Sequence, residues 1–506
     1  MLTVNEVVRL LKERQLFEEV ICDNQRHYTL PESVRATEIT DVTYDSRQVK
    51  SQALFFCKGL NFNFKYLQDA VAAGATVTIT ERSQVDDILK TQLPVIAIIV
   101  TDVQKAMATV ARAFYGNPDQ ALTMIGSTGT KGKTTSVYFT RHILQAVFGK
   151  QVAQLSSIDE CLDGEHFIEA HLTTPESLDL FRMLKAAVDH GMKYLVMEVS
   201  SQAYKKSRVY GLEFDYGVFL NISPDHISPV EHPDFDDYLY CKSQIVANSK
   251  TVIISREIKD YTFLAEKAQA YQTKVISIGQ DATADYQYQG HSHGQFTVKT
   301  SSGTSDYQIK IPGDFNYANA TAAIAVAQQL TDDQEQIKAG LLATTVPGRM
   351  ECLSNHHGYV AYVDYAHNYL SLSESFKFMK HEYPKGRLIV VIGAAGGKAE
   401  SRRHDIGMTL SEYADVAILT SEDNFKEDPY QIVDDIKANI TNPELQVIVE
   451  VDRVKAIEQA FAMVKPGDVI FMAGKGREVF MHDVDGDKPY IGDYQLSQKL
   501  MVEYDK

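Results

Sequence analysis

The stretch IGSTGTKGKTTSVYF, Ile125 to Phe139, restricts the fold of this chain more than any other. Leu122, Met124 and Ile125 close an apolar run, glycines permit a tight turn, and apolar residues recur at helical spacing from Ser136 to Val147, which predicts strand, loop, helix. That arrangement makes a phosphate cradle. Loop N–H groups and the positive end of the helix face an anion, Lys133 reaches the outer phosphates, and the Thr134 hydroxyl is placed to hold Mg²⁺. The usual G-x-x-x-x-G-K-[ST] spacing is not met in full: counting back from Gly132, the first glycine position is Ser127, with Gly126 one residue earlier. ATP is the expected ligand, because the chain has no N-K-x-D guanine signature.

The length of 506 residues implies about three domains, and 44% hydrophobic residues suffices for each to bury a core. A formal net charge of −17 argues against nucleic acid as a partner. Cysteines at 22, 57, 161, 241 and 352 form no C-x-x-C pair, so neither a disulfide framework nor a zinc knuckle is indicated. The N-terminal MLTVNEVVRLLKERQL is an amphipathic helix pattern without a signal-peptide core, and no apolar stretch approaches the roughly 18 residues a membrane helix needs. A cytoplasmic chain without membrane insertion is expected.

The fold class is α/β. Residues 1–116 read as a small mixed domain, with short strands in VTYDSRQV and QALFFCKG, and the turn-forming YGNPDQ as linker. Residues 117–346 alternate apolar strands such as KYLVMEVS and YGVFLNIS with helical patterns, which predicts a mostly parallel sheet covered on both faces. Within them Asp285 to Lys310 reads as an antiparallel appendage, followed by the helical NYANATAAIAVAQQL. VPGRME breaks the pattern. In residues 347–506, RLIVVIGAAGG, DVAILTSEDN and DVIFMAGKGRE are apolar strands ending in polar or glycine-rich loops, the kind of edge where open α/β sheets bind ligands.

Glu198 ends the strand LVMEV, where a second-strand acid approaches nucleotide-bound Mg²⁺, and His226 follows another buried strand in NISPDHISP. By position alone each also reads as an ordinary strand-end acid and turn histidine. The ordered set GTKGKTT, LTTPES, MEVSSQAYKKSRV, NISPDHISPVEHPDFDDYLYCKSQI, GDFNYANATAAIA, VPGRMEC, VDYAHN and AGKGRE resembles the motifs of the Mur ligases over nearly the whole chain.

The resemblance implies a three-domain ligase: an N-terminal uridine-nucleotide domain, a central P-loop ATPase domain and a C-terminal Rossmann-like domain that binds an amino acid. It implies joining of an amino acid to UDP-MurNAc-L-Ala-D-Glu with ATP and Mg²⁺, in a bacterial cytoplasm, by a chain expected to be monomeric. The D-Glu carboxylate attacks the γ-phosphate, and the incoming amine displaces phosphate from the acyl phosphate. The implied catalytic and metal set is Lys133, Thr134, Glu198, His226 and Lys242, the last at the position where the family carries a carbamoylated lysine, an anion suited to Mg²⁺. The implied ATP set comprises Gly129, Thr130, Lys131, Gly132, Lys133, Thr134 and Thr135, with Asn316, Asn319, Arg349, Asp364, Tyr365 and His367. The implied UDP-substrate set comprises Ser46, Arg47, Thr173, Thr174, Ser200, Lys206 and Arg208; Lys206 stands where relatives often have Gln. Most relatives also continue D-Y-A-H with T-P, where this chain has Asn368 and Tyr369.

For the amino acid, the implied residues are Lys398, Asp423, Asn424, Lys426, Gly474 and Glu478. The loop that reads D-N-P-R in diaminopimelate-adding relatives reads DNFKEDP here, and a second family arginine aligns with Lys398. Loss of two guanidiniums beside Glu427, Asp428 and Glu478 favours an ammonium-ended substrate, L-lysine. Lys426 and Lys398 keep meso-diaminopimelate open, since a lysine can bind its carboxylate; L-ornithine is a further alternative, and a nucleotide- or precursor-binding paralogue without catalysis is the alternative of another class.

Overall fold

The computed structural model describes residues 1–506 except 60–61, 225–226, 229–230, 292–293, 312, 355, 398–400 and 505–506. The expected site residues His226 and Lys398 therefore lie outside the described residues. The chain divides into two compact units, Met1–Gln287 with Ala322–Ile337, and Tyr288–Thr321 with Lys338–Lys506.

The first unit opens on helix Val4–Glu13, started by a capping box in which Thr3 and Glu6 exchange side-chain and backbone bonds. Its Val4, Val7, Val8 and Leu11 fall on one face and are buried. They cover a mixed sheet in the order Gln25–His27, Phe17–Cys22, Ile96–Val100, Ala75–Thr80, Ala53–Phe56 and Asp41–Thr43. The expected strand in VTYDSRQV stops at Thr43, because the Asp45 side chain accepts from Arg47 N and turns Ser46–Gln48 into a 3-10 helix.

A second sheet in this unit carries the loop expected to bind phosphate. Strands Val152–Leu155, Tyr194–Glu198, Thr123–Thr128, Phe214–Phe219, Ser249–Ser255 and Lys274–Gly279 lie side by side, all parallel. Both faces are covered, which is why these strands read as continuous apolar runs. In register, Ser127 faces Glu198 and Thr128 faces Phe219, so three strand C-termini end together and their loops share one edge.

Gly126 belongs to the strand and not to the loop. A Cβ there would lie 2.8 Å from the Phe214 ring, which explains a glycine one residue before the expected position.

The second unit contains a sheet in the order Glu351–Ser354, Val360–Asp364, Val469–Ala473, Leu388–Ile392, Val416–Leu419 and Gln446–Val449, parallel except for its first strand. The three apolar runs singled out in the sequence are its central strands, fully buried. Gln295–Thr300 and Gly303–Gln308 pair as an antiparallel hairpin, as the alternation there predicts. Among the described residues, no helix is long and apolar enough to cross a membrane.

Replacing Gly126 by alanine is expected to destabilise the first unit by about 1–3 kcal/mol through overpacking against Phe214. Urea denaturation reads this as a lower midpoint, and an unchanged midpoint would remove the steric account.

Candidate active site

The phosphate loop is held from below. Gly132 adopts φ +82°, a left-handed conformation open to glycine, and helix Lys133–Phe148 begins immediately after it, three residues ahead of the expected apolar pattern. Thr130 N donates to Asn221 O at 3.2 Å, Lys131 N donates to the Asn221 side-chain oxygen at 2.9 Å, and Asn221 Nδ2 donates back to Lys131 O at 3.0 Å. Thr130 Oγ1 reaches Ser223 O at 3.2 Å and the Tyr238 hydroxyl at 3.1 Å. The loop is thus fixed by the NIS segment that follows the neighbouring strand, a role that spacing in the motif does not signal, unlike the place of His226 in it. Lys133 Nζ lies over the loop, donating to Gly129 O at 2.9 Å and Thr130 O at 3.3 Å.

Glu198 is where the second strand meets this loop. Its Oε1 accepts from Thr134 Oγ1 at 2.8 Å and from Ser157 N at 2.7 Å, and Ser157 Oγ lies 3.1 Å from Thr134 Oγ1. A carboxylate and two hydroxyls, with Glu198 1% exposed, form a compact group of hard oxygen donors that fits Mg²⁺. Ser157, in QLSS, went unnoticed in the sequence; its signal is a serine just beyond the strand next to that of Glu198. Lys242, on helix Phe235–Ala247, is 1% exposed and donates to Gly129 O at 2.8 Å, with its Nζ 4.9 Å from the Tyr238 ring centre. Lys133 and Lys242 therefore converge on the same carbonyl.

His232, in the motif VEHPDFDD, is a buried histidine that the sequence motif alone does not single out. Its Nδ1 pairs with Asp237 Oδ2 at 2.6 Å and its Nε2 with Ser201 Oγ at 2.9 Å. Asp237 also receives Lys205 at 2.6 Å, so this group braces the helix start.

Thr174 Oγ1 donates to Glu198 O at 2.9 Å and accepts from Ser200 N at 3.1 Å, and Ser200 caps the short helix Ser201–Lys205. Arg208 is buried nearby and reaches Thr174 O at 3.0 Å. Thr173 is half-buried, while Lys206 is exposed at the end of the short helix, apart from the buried Arg208. In the smaller sheet's domain, exposed Arg47 forks onto Asp45 at 2.9 and 2.7 Å.

In the second unit, Asn319 donates to Asn316 Oδ1 at 2.9 Å, both buried. The Arg349 guanidinium stacks on Tyr365, 4.9 Å from its centre. Asp364 accepts from Met350 N at 2.6 Å and Ala366 N at 2.7 Å, and His367 Nδ1 lies 2.7 Å from Tyr365 O.

The loop DNFKEDP lies against AGKGRE. Lys475, 0% exposed and unremarked in the sequence, is fixed between Asp423 Oδ1, at 2.8 Å, and Glu478. Asp423 also accepts from His482 N at 2.9 Å. Glu427 and Asp428, expected to favour an ammonium, serve elsewhere: Glu427 takes Arg403 at 2.7 Å and Gly397 N at 2.8 Å, and Asp428 caps helix Pro429–Ala438. Lys426 is exposed. The acid that does join the cluster is Glu422, whose Oε2 has no hydrogen-bond partner among the described residues. A Cβ at Gly474, φ +101°, would meet that oxygen at 2.4 Å, so only glycine leaves it room. Burial, with Asp423 and Glu478 nearby, pushes the Glu422 carboxyl up to about 7 against the pull of Arg453 and Lys475. Burial likewise raises Glu478, opposed by Lys475.

A carboxyl raised in the fold keeps its proton between the unfolded and folded values, so its contribution to stability is lost as pH rises through about 7. Glu422→Gln should match the parent protein near pH 5 and exceed it by about 3 kcal/mol above pH 8. Urea denaturation at the two pH values checks this, and an equal difference at both would contradict the assignment.

The sequence matches the Mur ligase middle domain over residues 128–327 and the Mur ligase, glutamate ligase domain over residues 348–476. It is 44% identical over 501 residues to the UDP-N-acetylmuramoyl-L-alanyl-D-glutamate--L-lysine ligase of Enterococcus faecalis, covering 97% of each chain. It is 43% identical to the UDP-N-acetylmuramyl-tripeptide synthetase of Ligilactobacillus salivarius, covering 94% of this chain and 97% of that one. In structure it resembles a UDP-N-acetylmuramoyl-L-alanyl-D-glutamate--2,6-diaminopimelate ligase with TM-score 0.67 at 22% identity, covering 94% and 97% of the two chains. MurF from Acinetobacter baumannii gives TM-score 0.61 at 18% identity, with 99% and 98% covered. With both family domains matched and full-length similarity at this level, the chain belongs to the Mur ligase family, in its group of UDP-N-acetylmuramyl-tripeptide synthetases.

Proposed function

We propose that the protein joins L-lysine to the D-Glu carboxyl of UDP-MurNAc-L-Ala-D-Glu, with ATP hydrolysis, as a monomer in the bacterial cytoplasm. Residues 1–116 would bind the uridine end, 117–346 the ATP, and 347–506 the amino acid. The observation that carries the choice of amino acid is the cluster of Glu422, Asp423 and Glu478 around Lys475, without an arginine in DNFKEDP. Arg453, the other cation acting on Glu422, is committed to Asp493 at 2.6 Å. The cluster therefore favours a cation over a second carboxylate. The relatives from Enterococcus faecalis and Streptococcus thermophilus, the latter 40% identical, are named as L-lysine ligases, which supports the same reading.

In this reading the chain neutralises an attack of one anion on another. Thr134 and Glu198 and, by family resemblance, His226 and a Lys242 carbamate would hold Mg²⁺, which when bound would supply positive charge to neutralise the phosphates. Lys133 leaves the loop carbonyls and pairs with the transferred phosphoryl group, while loop N–H groups hold its oxygens. The D-Glu carboxylate oxygen bonds to phosphorus as the bond to ADP breaks. The neutral lysine α-amine then attacks the acyl carbon, and phosphate departs with the former carboxylate oxygen and takes up the proton the amine loses, as HPO4²⁻. Asp423 and Asn424 orient the amino-acid end of the incoming lysine, and Glu422 with Glu478 faces its distal ammonium.

Lys133→Ala should lower kcat by at least about 100-fold with the fold intact, since a cation facing developing charge is removed from a polar loop. Phosphate release together with circular dichroism checks this, and near-normal turnover would sink the loop assignment. In a competition with equal L-lysine, L-ornithine and meso-diaminopimelate, lysine product should dominate, with ornithine lower by about 10- to 200-fold for its missing methylene. Mass analysis of the tripeptide reads the outcome. Dominant diaminopimelate product would mean that Lys426 and Lys398 clamp its carboxylate, inverting the reading.

A further inference from the structure

Glu176, in the motif LTTPES, lies between two cations that arrive from different sheets of the first unit. Lys58, just after strand Ala53–Phe56, donates from Nζ to Glu176 Oε2 at 2.6 Å. Arg208 donates from Nε and Nη2 to Oε1 at 3.1 and 2.8 Å, and from Nη1 to Thr174 O at 3.0 Å. Each carboxylate oxygen thus serves one cation. The side chains of Lys58, Glu176 and Arg208 are 20%, 15% and 9% exposed, so solvent screens these pairs weakly. Burial alone would raise the Glu176 carboxyl, but Lys58 and Arg208 hold it below its ordinary range.

The arrangement continues toward both ends of the expected substrate. Lys58 Nζ sits 4.3 Å from the centre of the Tyr44 ring, and the Tyr44 hydroxyl donates to Asp179, which also takes Arg182 at 2.7 Å. Tyr44 lies two residues before Ser46 and Arg47, the residues expected at the uridine end. On the other side, Thr174 donates to Glu198 O, at the metal-binding strand end. Lys58, Glu176 and Arg208 together carry one more positive charge than negative. Arg208 uses three of its five N–H groups here, which leaves one on each terminal nitrogen for a further carboxylate.

We propose that Glu176 is a positioning residue that fixes Arg208 and Lys58 on one carboxylate, so that the excess positive charge receives a carboxylate of the UDP-linked dipeptide. This rests on the proposed ligase function and on the place of Arg208 beside the dipeptide. Removing the anion leaves two cations facing each other without a counter-charge, and the guanidinium loses the partner that sets its plane. Glu176 touches no reacting atom, so its loss is felt in substrate capture and not in the chemical step.

The test is a set of Glu176→Gln, Glu176→Asp and Lys58→Met variants of the full chain, with steady-state kinetics in all three substrates and calorimetric binding of UDP-MurNAc-L-Ala-D-Glu. Glu176→Gln should raise KM and Kd for the UDP-linked dipeptide by about 10- to 100-fold while KM for ATP and L-lysine moves less than about twofold and kcat less than about threefold. Glu176→Asp should recover part of the loss. Lys58→Met should cost less alone and add almost nothing to Glu176→Gln, the non-additivity expected of groups sharing one partner. Unchanged KM for the dipeptide substrate, or an equal loss across all three substrates, would overturn the proposal, and Lys58→Met decides it if Glu176→Gln fails to fold. If the parent protein binds the dipeptide substrate but does not ligate it, the proposed function falls separately, and equal calorimetric affinities of parent and Glu176→Gln then overturn this proposal by themselves.

Discussion

The carboxylate of Glu198 is the interaction on which the site depends. It is 1% exposed, and a buried carboxylate is tolerable only when it is hydrogen-bonded. Thr134 from the helix after the loop and Ser157 N from beyond the adjacent strand both donate to its Oε1, at 2.8 and 2.7 Å. One acid therefore fixes the first turn of the loop's helix against two strand ends. Thr174 reaches the carbonyl of the same residue, which brings the LTTPES segment to the same edge. Parallel pairing of Thr123–Thr128 with strands on both sides sets the register that makes this possible.

Charge is handled in the second unit by similar means. Arg453 and Asp493 pair at 2.6 Å with almost no exposure, and Arg453 also donates to Ser421 O and Ala473 O, so one guanidinium fastens the ends of two neighbouring loops. Those loops carry Glu422 and Asp423 on one side and Lys475 and Glu478 on the other. With Arg453 so committed, Glu422 faces only part of its field, and burial wins, which is why its carboxyl is pushed up to about 7. Under the proposed function an incoming ammonium would complete this cluster, and the same charge distribution disfavours a distal carboxylate.

The strand, loop and helix around Gly132, the parallel sheets and the antiparallel hairpin were legible in the sequence because their signals are local: glycine position, apolar runs and alternation. Partnerships over long distances were not. Glu427 reads as a binding acid until Arg403, 24 positions earlier, is found beside it. Lys475 reads as one more loop lysine until the fold places it between Asp423 and Glu478. Asn221 and Ser157 carry no motif of their own, and the structure alone shows that they clamp the loop and the second-strand acid. Gly126 looked like a displaced loop glycine, and the Phe214 ring is its actual reason.

Under the proposed function, the groups gathered around Glu198 and Lys133 promote attack of a carboxylate on a phosphoryl group. The most direct measurement uses UDP-MurNAc-L-Ala-D-Glu carrying ¹⁸O in the D-Glu side-chain carboxylate, with ATP, L-lysine and the intact protein. If the carboxylate attacks phosphorus and the amine then displaces phosphate, the inorganic phosphate released acquires one ¹⁸O per tripeptide formed. Inorganic phosphate without label, alongside labelled tripeptide, would contradict the account.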